Sequence, residues 1–214
     1  KNINRIRKKI KNGKASIGTW LQIPDSNVAE IFSHLNYDWI AIDTEHSNFS
    51  NDKLIDIFRS IELGNSLPIV RLNSNDDKLI KNYLELGCGG FIIPMVENIE
   101  HLDKIEKNLN FLLFGKRGTG FNRDNLYGLH FSEYVSSRVK PLVVAQIETK
   151  EGIKNLKNIV KSKILDAIFI GPYDLSMSLG LKGKVNNVKF KKEIMNILNF
   201  SKQNKLPCGI HIVQ

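Results

Sequence analysis

The sequence contains little that would place it in a membrane, an oxidising compartment or a nucleotide-binding class. Its 214 residues include no apolar run close to the roughly 18 residues that span a bilayer. The two cysteines, Cys88 and Cys208, are far apart and lie outside any CxxC or Cys/His spacing. They therefore predict neither a zinc site nor a disulfide framework. A GxxxxGK(S/T) phosphate loop is absent, and no Rossmann-type glycine motif follows the first strand-like run.

The basic residues do not point to a signal peptide or to a polyanion site. The opening segment, KNINRIRKKIKNGK, is followed by neither an apolar core nor a small-residue cleavage site, so it does not resemble a secretory signal. The net charge of +9 is compatible with a polyanion partner. The lysines are spread over every predicted helix rather than clustered, which favours solvated helix faces. We expect a soluble, cytoplasmic protein without nucleic acid or membrane partners.

Short apolar runs alternate with amphipathic segments from end to end, which predicts strands alternating with helices. The predicted strands are Ser16–Gln22, Trp39–Asp43, Pro68–Leu72, Gly90–Pro94, Leu142–Ile147, Ala167–Ile170 and Cys208–Val213. The predicted helices, several of them led by polar capping residues, are Asp25–Leu35, Asn51–Leu63, Asn75–Leu86, Glu97–Leu109, Lys150–Val160 and Val188–Gln203.

This alternation is typical of a parallel sheet covered by helices, and it favours a (βα)8 barrel that occupies residues 1–214 as a single domain. Only seven strands can be found in the sequence, so the eighth strand and the C-terminal helix of such a barrel are missing from the prediction. The sequence also lacks an initiator Met, and such barrels usually have roughly 250 residues. We therefore expect the complete protein to be longer than this sequence.

One connection is longer and richer in Gly, Arg and Asn than the others. The segment between Phe111 and Lys140, LLFGKRGTGFNRDNLYGLHFSEYV with its flanks, is predicted to be irregular. Long irregular insertions in compact domains are usually functional or disordered. This insertion is therefore the first candidate for a segment that determines specificity.

Polar side chains follow several of the predicted strands, at the end where barrel active sites lie. Burying so many of them in one place without partners would be costly, so we expect them to form a site. These residues are Asp43, Glu45, His46, Arg71, Gln146, Glu148 and Asp174.

Glu148 and Asp174 are candidates for a hard divalent cation. Carboxylate oxygens completed by water suit Mg²⁺ or Mn²⁺, and Co²⁺ is a further candidate that the same ligands accommodate. Their separation corresponds to one βα unit, which would place them on neighbouring strands. The alternative is structural: Glu148 would cap the following helix and Asp174 would N-cap the DLSMSL turn.

Three further residues suit acid–base and anion chemistry. Arg71 could pair with an acid such as Glu148, but its planar fork also fits a substrate carboxylate or an enolate oxygen. His46 is a candidate general base, because its unperturbed pKa lies near neutrality and Asp43 could orient it. By contrast, His211 is expected to be packed inside the last strand.

The GPYD sequence, which begins with Gly171 and Pro172, offers a place for an anionic carboxylate. Backbone N–H groups at the start of a helix attract anions. The two glycines of RGTGFNR form only a weak signal by comparison.

Seven short motifs occur along the chain in the order GTW, DWIAIDTEH, PIVRL, LELGCGGFIIPMVEN, RGTGFNR, QIET and IFIGPYDLSMSLG. As an ordered set they resemble the HpcH/HpaI aldolase family. The resemblance runs from about Ile17 to the last residue. It implies a class II pyruvate aldolase of the phosphoenolpyruvate/pyruvate barrel superfamily, which reversibly cleaves a 4-hydroxy-2-oxo acid to pyruvate and an aldehyde. The family also implies a homo-oligomer, commonly a hexamer.

The resemblance implies a role for each matching residue. Glu148 and Asp174 would hold the divalent ion, Arg71 would stabilise the enolate oxygen, and Gln146 would position the bound pyruvate. His46, supported by Asp43, would carry the proton transfers. The family commonly has Asp where this sequence has Glu85 in LELG, so the carry-over of that acid, like a role for Glu45, is open.

Two alternatives remain at this point. A citrate lyase β-subunit type of enzyme would act on CoA thioesters instead. A non-catalytic protein could use its basic surface to bind polyanions.

Overall fold

The computed structural model describes residues 2–74, 76–112, 114–136 and 140–212. In this part of the chain, seven strands alternate with ten α-helices and one 3₁₀ helix. The strands are β1 (Gly18–Leu21), β2 (Trp39–Asp43), β3 (Leu67–Arg71), β4 (Gly90–Ile93), β5 (Leu142–Ile147), β6 (Ala167–Ile170) and β7 (Cys208–Ile210). The helices are α1 (Ile3–Lys11), α2 (Ser26–Ser33), α3 (Asn51–Leu63), α4 (Asp77–Leu86), α5 (Ile99–Leu109), the 3₁₀ helix (Arg123–Gly128), α6 (Phe131–Ser136), α7 (Lys150–Lys154), α8 (Leu156–Ile159), α9 (Pro172–Ser178) and α10 (Val188–Gln203).

The chain forms two compact units, one of Lys1–Ile92 with Ile105–Leu142 and the other of Ile93–Lys104 with Val143–Gln214. In the first unit β1 to β4 pair in parallel, each with the next strand of the sequence. In the second unit β5, β6 and β7 pair in the same way. This repeating pattern of parallel strands and helices confirms the predicted (βα)8-barrel class, and the described residues contain no eighth strand. The interpretation as a single domain stays a prediction.

The inner strands, β2 to β6, are buried on both faces. Every residue of β3, β4 and β5 is buried, and so are the four residues of β2 after Trp39. A parallel strand covered on both sides has no solvent face, so its sequence is continuously apolar rather than alternating. This is why the runs WIAID, LVVAQI and AIFI predicted their strands correctly to the residue.

The structure corrects the sequence interpretation of two helical segments. The predicted helix Lys150–Val160 is two short helices, α7 and α8, because Asn155 leaves the helical backbone and donates its side-chain N–H to the Glu97 carbonyl oxygen at 2.9 Å. The basic N-terminal segment, to which the sequence assigned no structure, is α1. Its isoleucines Ile3 and Ile6 lie one turn apart and are buried.

The last strand is shorter than predicted. β7 ends at Ile210, so His211 lies beyond the strand and is exposed, and its expected place in the core is wrong. Val213, at the end of the predicted strand, lies outside the described residues, as does Asn75 at the start of the predicted helix Asn75–Leu86. Burial raises the pKa of the Cys208 thiol to about 12, so this cysteine is a poor nucleophile.

The insertion between β4 and β5 is more ordered than its sequence suggested, since it contains the 3₁₀ helix and α6. Arg123 joins it to the rest of the first unit, donating to the Leu86 carbonyl oxygen at 2.7 Å and pairing with Glu62 at 2.5 Å. Leu86 ends α4, and Glu62 lies in the last turn of α3.

The insertion contacts both ends of α4. Lys116 lies 3.3 Å from Asp77, the first residue of α4. Arg123 lies at the N-terminal ends of β3 and β4, because α3 and α4 end beside the starts of these strands. A cleft of about 440 Å³ at this end is lined by Asn65, Pro68 and Arg123, among others. Because a five-residue strand is roughly 16 Å long, the C-terminal end of β3 is remote from this cleft.

None of the described helices is both long and apolar enough to cross a membrane.

Candidate active-site residues at the strand ends

The register of β2 and β3 brings Asp43 and Arg71 together. Each is the last residue of its strand, and the two are paired directly across the parallel ladder. The Asp43 carboxylate accepts hydrogen bonds from Arg71 Nε at 2.9 Å and from Arg71 Nη2 at 2.5 Å. This two-point contact is the strongest geometry for a guanidinium–carboxylate pair. The sequence left Glu148 or another acid as the partner of Arg71, and that partner is Asp43.

The Asp43 carboxylate is fully buried and stays ionised. Burial alone would raise its pKa, but the hydrogen bonds from Arg71 and Gln22 outweigh burial and hold the pKa below its usual value. Gln22 contributes its side-chain N–H to Oδ2 at 2.9 Å. The loop after β2 adds the backbone N–H groups of Glu45 and His46, each 3.2 Å from Oδ1.

The Arg71 guanidinium is held on a second edge and on one face. Its Nη1 lies 3.3 Å from a carboxylate oxygen of Glu45. Its central carbon lies over the face of the Trp20 ring, 4.6 Å from the ring centroid. A guanidinium carries five N–H groups, so donors remain on Nη1 and Nη2 for a substrate oxygen.

His46 lies beside this pair but is oriented differently from the prediction. Asp43 holds the backbone N–H of His46 rather than its imidazole. The nearest carboxylate to the imidazole is that of Glu45, at 3.9 Å from Nε2, and the imidazole is exposed. Asp43 therefore fixes the loop that carries His46, and Glu45 is the acid closest to the ring.

In the second unit, Glu148 and Gln146 form a buried pair at the end of β5. Glu148 is 2% exposed, and its Oε1 accepts the backbone N–H of Met95 at 2.8 Å. The side-chain N–H of Gln146 donates to Oε2 of Glu148. The Gln146 carbonyl oxygen Oε1 is buried and has no hydrogen-bond partner among the described residues. A buried acceptor of this kind suits a bound ligand that can donate to it.

Gly171 leaves space next to these two side chains. A β-carbon at Gly171 would overlap Oε2 of Glu148 and would lie 2.9 Å from Nε2 of Gln146. The anion site predicted for the backbone N–H groups of the GPYD turn, which begins with Gly171 and Pro172, stays a prediction. Gly171 donates its N–H to the Ile147 carbonyl oxygen at 3.4 Å, and Pro172 has no N–H group.

The alternative roles of Glu148 and Asp174 as helix caps are wrong. Thr149, not Glu148, caps α7, with its hydroxyl accepting the Gly152 N–H at 2.9 Å. Gly171 is the N-cap of α9, so Asp174 lies inside its first turn, where it is exposed. Neither carboxylate is needed as a cap.

These residues fit a hard divalent cation in their chemistry. Glu148 and Asp174 supply carboxylate oxygens, and the glycine at position 171 leaves room beside Oε2 of Glu148. No group of three or more His, Cys, Asp or Glu side chains suited to a metal occurs in the described part of the chain. Two carboxylates would therefore need water or substrate oxygens to complete a coordination shell.

Glu85 is placed away from the strand ends, near the end of α4, where its carboxylate lies 3.7 Å from Lys81.

Sequence reasoning missed three residues of these clusters. In the sequence, Trp20 stands out only as part of the GTW motif and Gln22 only as the last residue of a predicted strand. Their i, i+2 spacing nevertheless predicts that both side chains lie on one face of that strand. Met95 contributes through its backbone, in a left-handed conformation (φ 50°). No side-chain pattern in a sequence signals such a contact.

Comparison with known proteins agrees with these observations. The family model described as "HpcH/HpaI aldolase/citrate lyase" matches residues 16–209. A hydroxypyruvate/pyruvate aldolase of Roseobacter denitrificans is 29% identical over 97% of this chain and 82% of its own length. A 5-keto-4-deoxy-D-glucarate aldolase of Citrobacter koseri is 27% identical over 97% of this chain and 81% of its own.

Among solved structures, an HpcH/HpaI aldolase/citrate lyase family protein of Burkholderia cenocepacia superimposes with a TM-score of 0.89 at 25% identity. The match covers 97% of this chain and 84% of that protein. The family resemblance predicted from the ordered motifs is thus confirmed. The chain belongs to the HpcH/HpaI aldolase/citrate lyase family and is an enzyme of its aldolase, or carbon–carbon lyase, class.

Proposed function

We propose that this enzyme reversibly cleaves a 4-hydroxy-2-oxo acid to pyruvate and an aldehyde with the help of a divalent cation. The observation that carries the proposal is the buried Glu148 carboxylate beside the unpartnered Gln146 oxygen and the open space at Gly171. Relatives named as a hydroxypyruvate/pyruvate aldolase and a 5-keto-4-deoxy-D-glucarate aldolase support the substrate class.

Glu148 and Asp174 are proposed to hold the cation, Mg²⁺ or Mn²⁺, with Co²⁺ as a further candidate. A bound divalent ion would polarise the keto oxygen of the substrate and offset negative charge that develops on it. Met95 and Gln146 hold the two oxygens of Glu148 in place, so the carboxylate is preorganised for this task. Gln146 would use its free oxygen and amide to position the pyruvate moiety.

Arg71 is proposed to stabilise the enolate oxygen. The guanidinium is permanently charged, nearly buried and fixed by Asp43 and Glu45. A preorganised cation in a site of low polarity stabilises charge that appears in the transition state without first having to reorient.

His46 is proposed to accept the proton of the substrate C4 hydroxyl as the C3–C4 bond breaks, and the bond electrons then form the pyruvate enolate. The same imidazole can return a proton to C3. Asp43 supports this role by holding the loop that carries His46, and Glu45 is placed to stabilise an imidazolium.

A cytoplasmic location and a homo-oligomeric assembly, a hexamer by family resemblance, belong to this proposal. Two other functions compete with the aldolase proposal: a CoA-thioester lyase of the citrate lyase type, and a polyanion-binding protein.

The proposal is tested by measuring pyruvate release from 4-hydroxy-2-oxo acids with Mg²⁺, Mn²⁺ or Co²⁺, using lactate dehydrogenase to detect pyruvate. We expect activity that a chelator removes and the metal restores. Glu148→Gln and Asp174→Asn keep the side-chain size but remove a charged ligand, and each should lower kcat/KM by about 100-fold or more. Glu151→Gln, at an exposed position of α7, is the matched control and should retain activity.

Turnover of CoA thioesters without pyruvate release from any 4-hydroxy-2-oxo acid would overturn the aldolase proposal. Salt-sensitive binding to nucleic acid that both substitutions leave intact, with no metal-dependent activity, would favour the polyanion-binding alternative.

A further inference from the structure

Strand β1 contributes two side chains to the Asp43–Arg71 pair. Leu21 and Ile42 are the last paired residues of β1 and β2, and Gln22 and Asp43 come directly after them. Because side chains alternate along a strand, Trp20 and Gln22 point to the same face, and Leu21 points to the other. The two β1 side chains therefore meet Asp43 and Arg71, which come from β2 and β3.

The two β1 residues make different contacts. Trp20 offers the face of its ring to the Arg71 guanidinium, 4.6 Å from its centroid. Gln22 donates to Asp43 Oδ2, the oxygen that also accepts from Arg71 Nη2. Arg71 is thus restrained on its edge by carboxylates and on its face by an aromatic ring, and Asp43 is restrained by a second donor besides Arg71.

An arginine held only at its edge can still rotate about the axis of the paired N–H groups. A ring against the guanidinium face removes this rotation, since tilting would separate the cation from the electron-rich face. The direction of the remaining N–H donors is then set before a substrate arrives. Preorganisation of this kind raises kcat rather than affinity alone.

We propose that Trp20 and Gln22 are positioning residues of the site, Trp20 fixing the orientation of the Arg71 guanidinium and Gln22 holding the Asp43 carboxylate in register with it. This inference rests on the proposed function for its effect on kcat. The contacts themselves involve only residues of β1, β2 and β3.

The Trp20 contact is tested with Trp20→Leu, which removes the ring, and Trp20→Phe, which keeps an aromatic face. In pyruvate release we expect kcat to fall about 10-fold in Trp20→Leu with a smaller change in KM, and to recover to within about 3-fold of wild type in Trp20→Phe. The Nε–H proton of Arg71, detected through its ¹⁵N resonance, should exchange slowly with solvent in wild type and in Trp20→Phe, and fast in Trp20→Leu. Equal losses in the two variants would mean that only the volume of the side chain matters and would overturn the proposal.

The Gln22 contact is tested with Gln22→Leu and Gln22→Glu, and Gln203→Leu on the exposed end of α10 is the matched control. Removing the donor should move the acid limb of the kcat/KM profile to higher pH by about half a unit to one unit, and Gln22→Glu should move it further because a second carboxylate faces Asp43. Thermal melting separates these effects from a loss of folding.

A ¹³C NMR titration of the Asp43 carboxyl group in the same variants does not depend on activity. The midpoint should rise in the order wild type, Gln22→Leu, Gln22→Glu. An unchanged midpoint in both variants would overturn the role of Gln22. If wild type releases no pyruvate, the proposed function fails, while the Asp43 titration and the Arg71 Nε exchange still decide the positioning roles.

Discussion

Adding one methyl group at Gly171 should disable the site with little effect on the fold. Gly171 has φ −89° and ψ 97°, a backbone conformation that alanine also adopts, so Gly171→Ala introduces no backbone strain. The new β-carbon would overlap Oε2 of Glu148 and lie 2.9 Å from Nε2 of Gln146, so the Glu148 carboxylate has to move.

The magnitude follows from the contacts that this movement breaks. Glu148 is held by the Met95 backbone N–H at 2.8 Å and by the Gln146 amide. A hydrogen bond to a charged group contributes about 1.5–3 kcal/mol, and losing one corresponds to roughly a 10- to 150-fold effect. We therefore expect kcat/KM for metal-dependent pyruvate release to fall about 10- to 100-fold, and the apparent metal affinity to weaken as well.

The assay compares Gly171→Ala with Gly120→Ala under the same conditions. A β-carbon at Gly120 would meet no atom within 4 Å, and its φ lies outside the left-handed range, so this variant should stay within about twofold of wild type. Both variants should melt cooperatively near the wild-type temperature. If Gly171→Ala binds metal and releases pyruvate as wild type does, the space beside Glu148 is not used by substrate or cation, and the reasoning is refuted.

Two further predictions concern stability. Because the pKa of Asp43 is lowered in the folded protein, its ionised form stabilises the fold above the unfolded pKa of about 4, and this contribution is lost as the pH falls through the folded value. Asp43→Asn should lower the free energy of unfolding by about 3 kcal/mol at pH 7 and by less at pH 3.5, measured by urea unfolding; an equal loss at both pH values would contradict this. Arg117 is buried in the insertion, its guanidinium carbon 4.7 Å from the Phe111 ring centroid and 5.3 Å from that of Tyr134. Arg117→Lys should cost about 1–2 kcal/mol in thermal or urea unfolding, with kcat/KM within twofold of wild type, and an unchanged melting temperature would count against the stacking role.

The strands could be predicted from the sequence because two-sided burial requires uninterrupted apolar runs. Trp39–Asp43 and Leu142–Ile147 are recognisable for this reason without any knowledge of the neighbouring strands. The helices of the insertion could not be predicted, since their residues lie in a segment rich in Gly, Asn and Arg whose order comes from long-range contacts. Arg123 is an example, because its partners Leu86 and Glu62 are 37 and 61 residues away in sequence.

The site was predictable in its residue types and less so in its contacts. The strand ends indicated Asp43, Arg71 and Glu148 as polar groups, and the structure places Asp43 and Arg71 at the ends of the paired strands β2 and β3 and Glu148 directly after β5. The partner of each depends on register and on rotamers, which a sequence does not specify. This is why the sequence assigned Asp43 to the His46 imidazole, whereas the carboxylate is occupied by Arg71, Gln22 and backbone N–H groups.

The pairing of Asp43 with Arg71 has a consequence for how such an enzyme changes its substrate. The two side chains face each other because backbone hydrogen bonds align β2 with β3. The loop after β2 supports them through Glu45 and His46, which lie within three residues of the end of the strand. Loop residues beyond Glu45 and His46 can therefore be added, removed or exchanged while Arg71 keeps its direction. Divergence toward new aldehydes, in nature or by design, should then proceed through those loops at small cost to the chemistry of the shared pyruvate half.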